Sequence, residues 1–134
     1  IGIIIEKPEL LPYLSGLENL KLLAEIRNII SYDDIKHYMD KFGLNFNSKQ
    51  IVKKYSLGMK QKLGIIQAIM EDPSLLLLDE PFNALDAESV DILRSILLQY
   101  KEQGKLIILT SHHQEDIMSV CNQVIHLQDG CILN

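Results

Sequence analysis

Residues 75–86 read Leu-Leu-Leu-Leu-Asp-Glu-Pro-Phe-Asn-Ala-Leu-Asp: four apolar residues that end in two adjacent carboxylates and a proline. An apolar run of this length between breakers is the pattern of a strand buried on both faces, as in a parallel sheet. Pro81 has no N–H to give to a ladder, so the strand stops before it. Asp79 and Glu80 thereby fall at the carboxyl end of a buried strand, where open α/β sheets hold their ligands.

The flanking sequence extends the pattern. Asp86 is a good N-cap for a helix over Ala87 to Gln103, and Gly104 is a good stop residue. Val90, Leu93, Ile96, Leu97 and Tyr100 form its inward stripe. Leu106 to Thr110 reads as the next buried strand, and Gln114 to Cys121 as a short helix. Val124–Leu127 and Cys131–Leu133 flank Asp129-Gly130, a hairpin signal. Alternating strands and helices give an α/β class with a partly parallel sheet.

The first half opens on a short apolar strand, Gly2 to Ile5, followed by a proline-bearing loop from Lys7 to Pro12, and is helical after that. Ser15 and Glu18 make a capping box for a helix through about Arg27, with Leu17, Leu20 and Ala24 inside. Ser31 with Asp34 opens a second helix, which ends near Phe42 with Gly43 in the stop position. Ile35, Tyr38, Met39 and Phe42 share its inner face. Lys49, Lys53 and Lys54 read as a solvated face. A third helix runs from about Met59 to Glu71, with Met59, Leu63, Ile66 and Met70 at helical spacing and Pro73 marking its end.

With 134 residues, the chain is long enough for one ordinary domain with a core, and 47% hydrophobic with 23% charged residues is a globular composition. A net charge of −5 argues against a nucleic-acid partner. Cys121 and Cys131 form no C-x-x-C pair and read as idle thiols in a reducing compartment. No apolar run has bilayer-spanning length, and no signal peptide is visible. A chain opening on Ile1 instead of Met reads as a fragment or processed product.

Four motifs carry chemistry. Ser56 and Gly58, in Tyr55-Ser-Leu-Gly-Met-Lys-Gln61, stand at the start of a long helix, where free N–H groups and a partial positive charge suit a phosphate. Taken alone, Ser56 reads first as an ordinary N-cap. Asp79 can hold Mg²⁺, an ion that prefers few carboxylates plus phosphate and water, and Glu80 can orient or activate an attacking water. His112, after Leu106–Thr110 and Ser111, places an imidazole at a strand end within reach of a phosphate, with His113 as a competitor. Asn83-Ala-Leu-Asp86 is a turn into a helix.

Together these resemble the ATPase subunit of ATP-binding cassette (ABC) transporters. Tyr55–Gln61 looks like the signature loop, Leu75–Pro81 like the Walker B strand, Asn83–Asp86 like the D-loop, and Ser111-His112 like the switch-histidine loop. The resemblance implies a P-loop NTPase-like α/β core, remaining over about 73–134, and an α-helical subdomain over about 8–72. It implies ATP and Mg²⁺ as cofactors. Asp79 would bind the metal, Glu80 would be the general base, and His112 would contact the γ-phosphate. Ser56 and Gly58 would reach the ATP of the opposite subunit in a head-to-tail dimer, and Asp86 would act across that interface. The implied partners are a second ATPase subunit and a transmembrane permease subunit, with the chain peripheral on the cytoplasmic face of the cell membrane.

Departures from the family pattern bear on this. Leu57 and Met59 replace a glycine and the glutamine of the usual Leu-Ser-Gly-Gly-Gln. Glu6 stands where the family usually has a glutamine reaching the metal, and with Tyr13–Leu20 it resembles bacterial exporters of the antibiotic-resistance and peptide-immunity type. No G-x-x-x-x-G-K-[ST] occurs, so the expectation is a C-terminal portion of an ABC ATPase, inactive alone. The strand of that motif is expected inside the sheet near Leu75–Leu78, and its absence is expected to drive self-association. The alternatives are a non-transport ABC ATPase and an ATPase-inactive docking module.

Overall fold

The structure, a computed structural model, describes residues 1–5 and 8–133. Eleven elements follow in order among these residues: β1 (Gly2–Ile4), α1 (Gly16–Arg27), α2 (Tyr32–Lys41), a 3₁₀ turn (Val52–Lys54), α3 (Leu57–Ile69), β2 (Leu75–Asp79), α4 (Ala87–Glu102), β3 (Leu106–Thr110), α5 (Gln114–Val120), β4 (His126–Gln128) and β5 (Cys131–Leu133). β1, β2 and β3 form a parallel sheet in that order, and β4 and β5 a separate antiparallel hairpin.

Local chemistry sets the helix starts. Ser15 Oγ accepts from the Glu18 amide while Glu18 accepts from the Ser15 amide, closing a reciprocal box at α1. Ser31, Ser56 and Asp86 cap α2, α3 and α4 through the amides of Asp34, Met59 and Ser89. α2 ends on two closing bonds, Leu44 N to Met39 O and Gly43 N to Asp40 O, with Gly43 at φ 68, a region open to glycine and strained for most residues. The same pair of bonds closes α4 at Gly104 and Lys105.

The loop before α1 is tied down by Asn19, a buried amide. Its Oδ1 accepts from Leu11 N at 2.8 Å, and its Nδ2 donates to Leu11 O and Ser15 O. The 3₁₀ turn adds Val52 N to Leu14 O and Lys53 N to Pro12 O. One continuous core follows, from Leu20, Ile35, Met39 and Phe42 in the helical part through Leu63, Ile66 and Ile69 of α3 to Leu76, Leu93 and Leu97. α3 is buried nearly all round, which widens the single stripe expected from its sequence. Tyr100 of α4 joins it by donating to Ile69 O.

The sheet departs from expectation. Side chains alternate, so Gly2, Ile4, Leu76, Leu78, Ile107 and Leu109 share the face turned to α3 and α4. Ile3, Leu75, Leu77, Leu106 and Ile108 share the other face, and there Ile3, Leu106 and Ile108 are each more than half exposed. Leu75–Leu78 and Leu106–Thr110 are therefore covered on one face only, because among the described residues no element packs on the second. β2 is flanked by β1 and β3, so no position is open beside Leu75–Leu78. A further strand could join only at the outer edge of β1 or β3, one strand away from Leu75–Leu78.

Candidate functional site

Parallel pairing of β2 and β3 sets Asp79 opposite Thr110 at the carboxyl end of the sheet. The turns leaving these strands bring the proposed catalytic groups together. Asp79, Glu80, Asn83, Thr110, Ser111 and His112 line one cleft of about 360 Å³. Glu80 Oε1 lies 3.3 Å from His112 Nε2; the Glu80 side chain is 12% exposed and that of His112 92%. A carboxylate held nearly dry against a solvent-facing imidazole can orient a water and a phosphate oxygen in one place. His113 instead begins α5, its amide donating to Ser111 Oγ, and does not line the cleft.

The backbone here is unusual. Glu80 has φ 46, and Ala84 has φ 61. Glu80 N donates to Thr110 Oγ1 at 3.1 Å, and Thr110 Oγ1 donates to Asp79 Oδ1 at 2.6 Å. Glu80 O accepts from Asn83 N at 3.2 Å. Gln61, 3% exposed, directs Nε2 at Pro81 O (3.2 Å) and Glu80 O (3.4 Å).

Ser56, Gly58 and Asp86 lie outside the cleft lining. Ser56 Oγ accepts from Met59 N, so the ordinary cap is made, and its O–H remains a donor. Gly58 has a reason of its own within the fold: a Cβ there would stand 2.6 Å from Ala84 O, so glycine lets the turn at residues 83–86 cross the first turn of α3. Asp86 accepts from Ser89 N, and its Oδ2 lies 2.5 Å from Lys62 Nζ. Glu6 lies outside the described residues.

Gln61, Lys62 and Thr110 escaped the sequence reading as site residues. The signal available for the first two was helical spacing: Gly58, Gln61 and Lys62 stand at i, i+3 and i+4 and so share a face. That face meets Glu80, Pro81, Ala84 and Asp86.

Lys62, and then the Ser89 amide, hold the Asp86 carboxyl well below the usual carboxylate range. A carboxyl lowered in the folded state contributes stability that is fully present above its unfolded value, about pH 4, and is lost as pH falls toward the folded value. Asp86→Asn is thus expected to lower the urea midpoint at pH 7, with the gap to the parent narrowing only as pH falls below about 4. A gap that stays constant over that range would show that the ion pair adds nothing to stability.

No group of three or more His, Cys, Asp or Glu side chains that could hold a metal occurs among the described residues. The cleft offers two adjacent carboxylates, Asp79 and Glu80, too few to cage a metal alone, and so suits an ion bound mainly by phosphate and water, as Mg²⁺ is.

Comparison with solved structures places this fold among ABC ATPase domains, which have the P-loop NTPase fold. A structure described as an ATP binding subunit of an ABC transporter matches with TM-score 0.86 and 27% identity, over 98% of this chain and 56% of that one. A dimeric bacterial ABC transporter cassette matches in fold with TM-score 0.84 and 22% identity, over 100% of this chain and 61% of that one. A family model described as ABC transporter matches residues 1–83, and the chain belongs to the ABC transporter ATP-binding subunit family.

Among its relatives is the uncharacterized ABC transporter ATP-binding protein YybJ of Bacillus subtilis (strain 168), 50% identical over 97% of this chain and 60% of that protein. The bacitracin transport ATP-binding protein BcrA of Enterococcus faecalis is 37% identical over 97% of this chain and 42% of its own length. The lantibiotic transport ATP-binding protein SrtF of Streptococcus pyogenes is 36% identical over 99% and 58%. The chain spans about half the length of the curated relatives it matches. Among the described residues no helix is long and apolar enough to cross a membrane.

Proposed function

We propose that this chain is the signature-to-switch part of a nucleotide-hydrolysing ABC transporter subunit. The reading rests on one observation: Glu80 and His112 face each other at 3.3 Å at the carboxyl ends of two parallel strands. In it Glu80 is the general base that positions the attacking water, and His112 contacts the γ-phosphate. Asp79 holds Mg²⁺, which would supply charge neutralisation of the phosphates. Ser56 and Gly58 meet the nucleotide of a second ATPase subunit, Asp86 acts at that interface, and Glu6 takes the part of the glutamine that reaches the metal elsewhere in the family. Residues 8–72 form the helical subdomain that engages a transmembrane permease subunit on the cytoplasmic side, and 73–134 belong to the core. Relatives named for bacitracin and lantibiotic transport support export of an antibiotic peptide as the task of the complex.

The test is Mg²⁺-dependent ATP hydrolysis by the protein as its gene encodes it, beside this 134-residue chain. Turnover in the first and none in the second is the expected result. No turnover and no Mg-ATP binding in the first would leave a docking module. The open sheet face and the outer edge of β3 also support self-association of the isolated chain, because apolar surface and unpaired strand edges recruit other chains. Light scattering should report oligomers. A monomer with cooperative melting would refute the association.

A further inference from the structure

We propose that Gln61 and Thr110 are positioning residues that clamp the backbone of Glu80 from both sides and so aim its carboxylate at His112. The inference rests on the role given to Glu80 above and goes beyond it. Glu80 is a non-glycine residue at φ 46, a conformation that persists only where its surroundings impose it. The surroundings here are specific. On the amino side, the Thr110 hydroxyl accepts from Glu80 N at 3.1 Å and donates to Asp79 Oδ1 at 2.6 Å, so one oxygen fixes both members of the acid pair. On the carboxyl side, Gln61 Nε2 spans Pro81 O at 3.2 Å and Glu80 O at 3.4 Å. Gln61 is 3% exposed, and a buried primary amide rotates little once both its N–H bonds are spoken for.

The geometry also explains why the two residues come from separate elements. Thr110 ends β3, the strand that leads to His112, and Gln61 lies on α3, one turn past Ser56 and Gly58. The Glu80 backbone is thus referenced both to the histidine loop and to the helix whose start carries the phosphate-binding candidates. A shift of either element moves the carboxylate. Neither side chain lies within hydrogen-bonding distance of the Glu80 carboxylate, so both act through the main chain.

The experiment compares Thr110→Val, Thr110→Ser, Gln61→Leu and Glu80→Gln in the protein as its gene encodes it. Valine matches threonine in shape and removes the hydroxyl; serine returns it. Thr110→Val and Gln61→Leu are expected to lower kcat about tenfold to a hundredfold, as misplaced catalytic groups do. The KM for ATP should stay within about twofold, the mark of an interaction made only in the transition state. Thr110→Ser should recover most of the loss. Without nucleotide, amide exchange at Glu80 in Thr110→Val and at Asn83 in Gln61→Leu should quicken by about tenfold, with Leu93 in α4 unchanged. Parental kcat in Thr110→Val and Gln61→Leu, alongside loss of turnover in Glu80→Gln, would overturn the clamp and leave the function of Glu80 standing. Retained turnover in Glu80→Gln would overturn both. Failure of Thr110→Ser to rescue Thr110→Val would overturn the part given to the hydroxyl.

Discussion

In the protein as its gene encodes it, Glu80→Gln is expected to lower ATP turnover by about a hundredfold to ten-thousandfold, the usual range for loss of a general base, the role proposed for Glu80. ATP affinity should hold within a few-fold. Glutamine has the same length and planar end, so the turn from Glu80 to Asn83 and the hydrogen bonds of its main chain survive. What is lost is the anionic oxygen that lies 3.3 Å from His112 Nε2. The amide can still accept from the imidazole, but it takes no proton from water. The effect should therefore appear in kcat and in single-turnover rates, with little change in the midpoint of thermal melting. Turnover within a few-fold of the parent would remove Glu80 as the base and return the cleft to a structural role.

The largest expected loss of stability lies far from the cleft. Phe42, Ile35 and Met39 have no exposed surface, and they seat α2 against α1 and α3. Phe42→Ala should destabilise the fold by about 3–5 kcal/mol, from lost transfer free energy and the cavity left behind. For a chain of this size, that lowers the melting midpoint by roughly 10–20 °C. Relaxation into the cavity is limited because the backbone at this point is fixed by Leu44 N to Met39 O and Gly43 N to Asp40 O. A drop of only a few degrees would show that α2 can collapse inward, and that the helical part is more plastic than its burial implies.

Much of this architecture can be read from single residues because helix caps are local. Ser15 with Glu18, Ser31 with Asp34, and Asp86 with Ser89 each act within three positions of the chain, so sequence alone contains both partners. The acid pair was legible for a similar reason, since Pro81 fixes the strand end on which Asp79 and Glu80 stand. Contacts that close across the fold were not. Gln61 meets Glu80 across 19 positions, and Glu80 meets Thr110 across 30. Neither partner has a local feature that names the other. Asn19 was hidden in the same way: an amide in an amphipathic helix reads as solvated until the loop that it binds is in place. The open sheet face was misread because an apolar run reports the burial that a strand is suited to, and not whether a helix lies over it. For the site residues, sequence pattern offered roles, and the structure added neighbours: Asp79, Glu80 and His112 share a cleft, while Ser56, Gly58 and Asp86 lie beyond its lining.

The left-handed backbone at Glu80 has an evolutionary consequence. At a residue other than glycine it costs about 1–2 kcal/mol. The substitution that relaxes it, Glu80→Gly, also deletes the carboxylate. At this one position, selection for heat resistance and selection for turnover favour different residues. A mutant library sorted only by thermal survival would enrich glycine at position 80 and fill with well-folded, silent variants. On the role proposed for Glu80, glutamate is expected to persist at this position only where turnover is under selection, so the residue found there in evolved variants would report whether that chemistry is still in use.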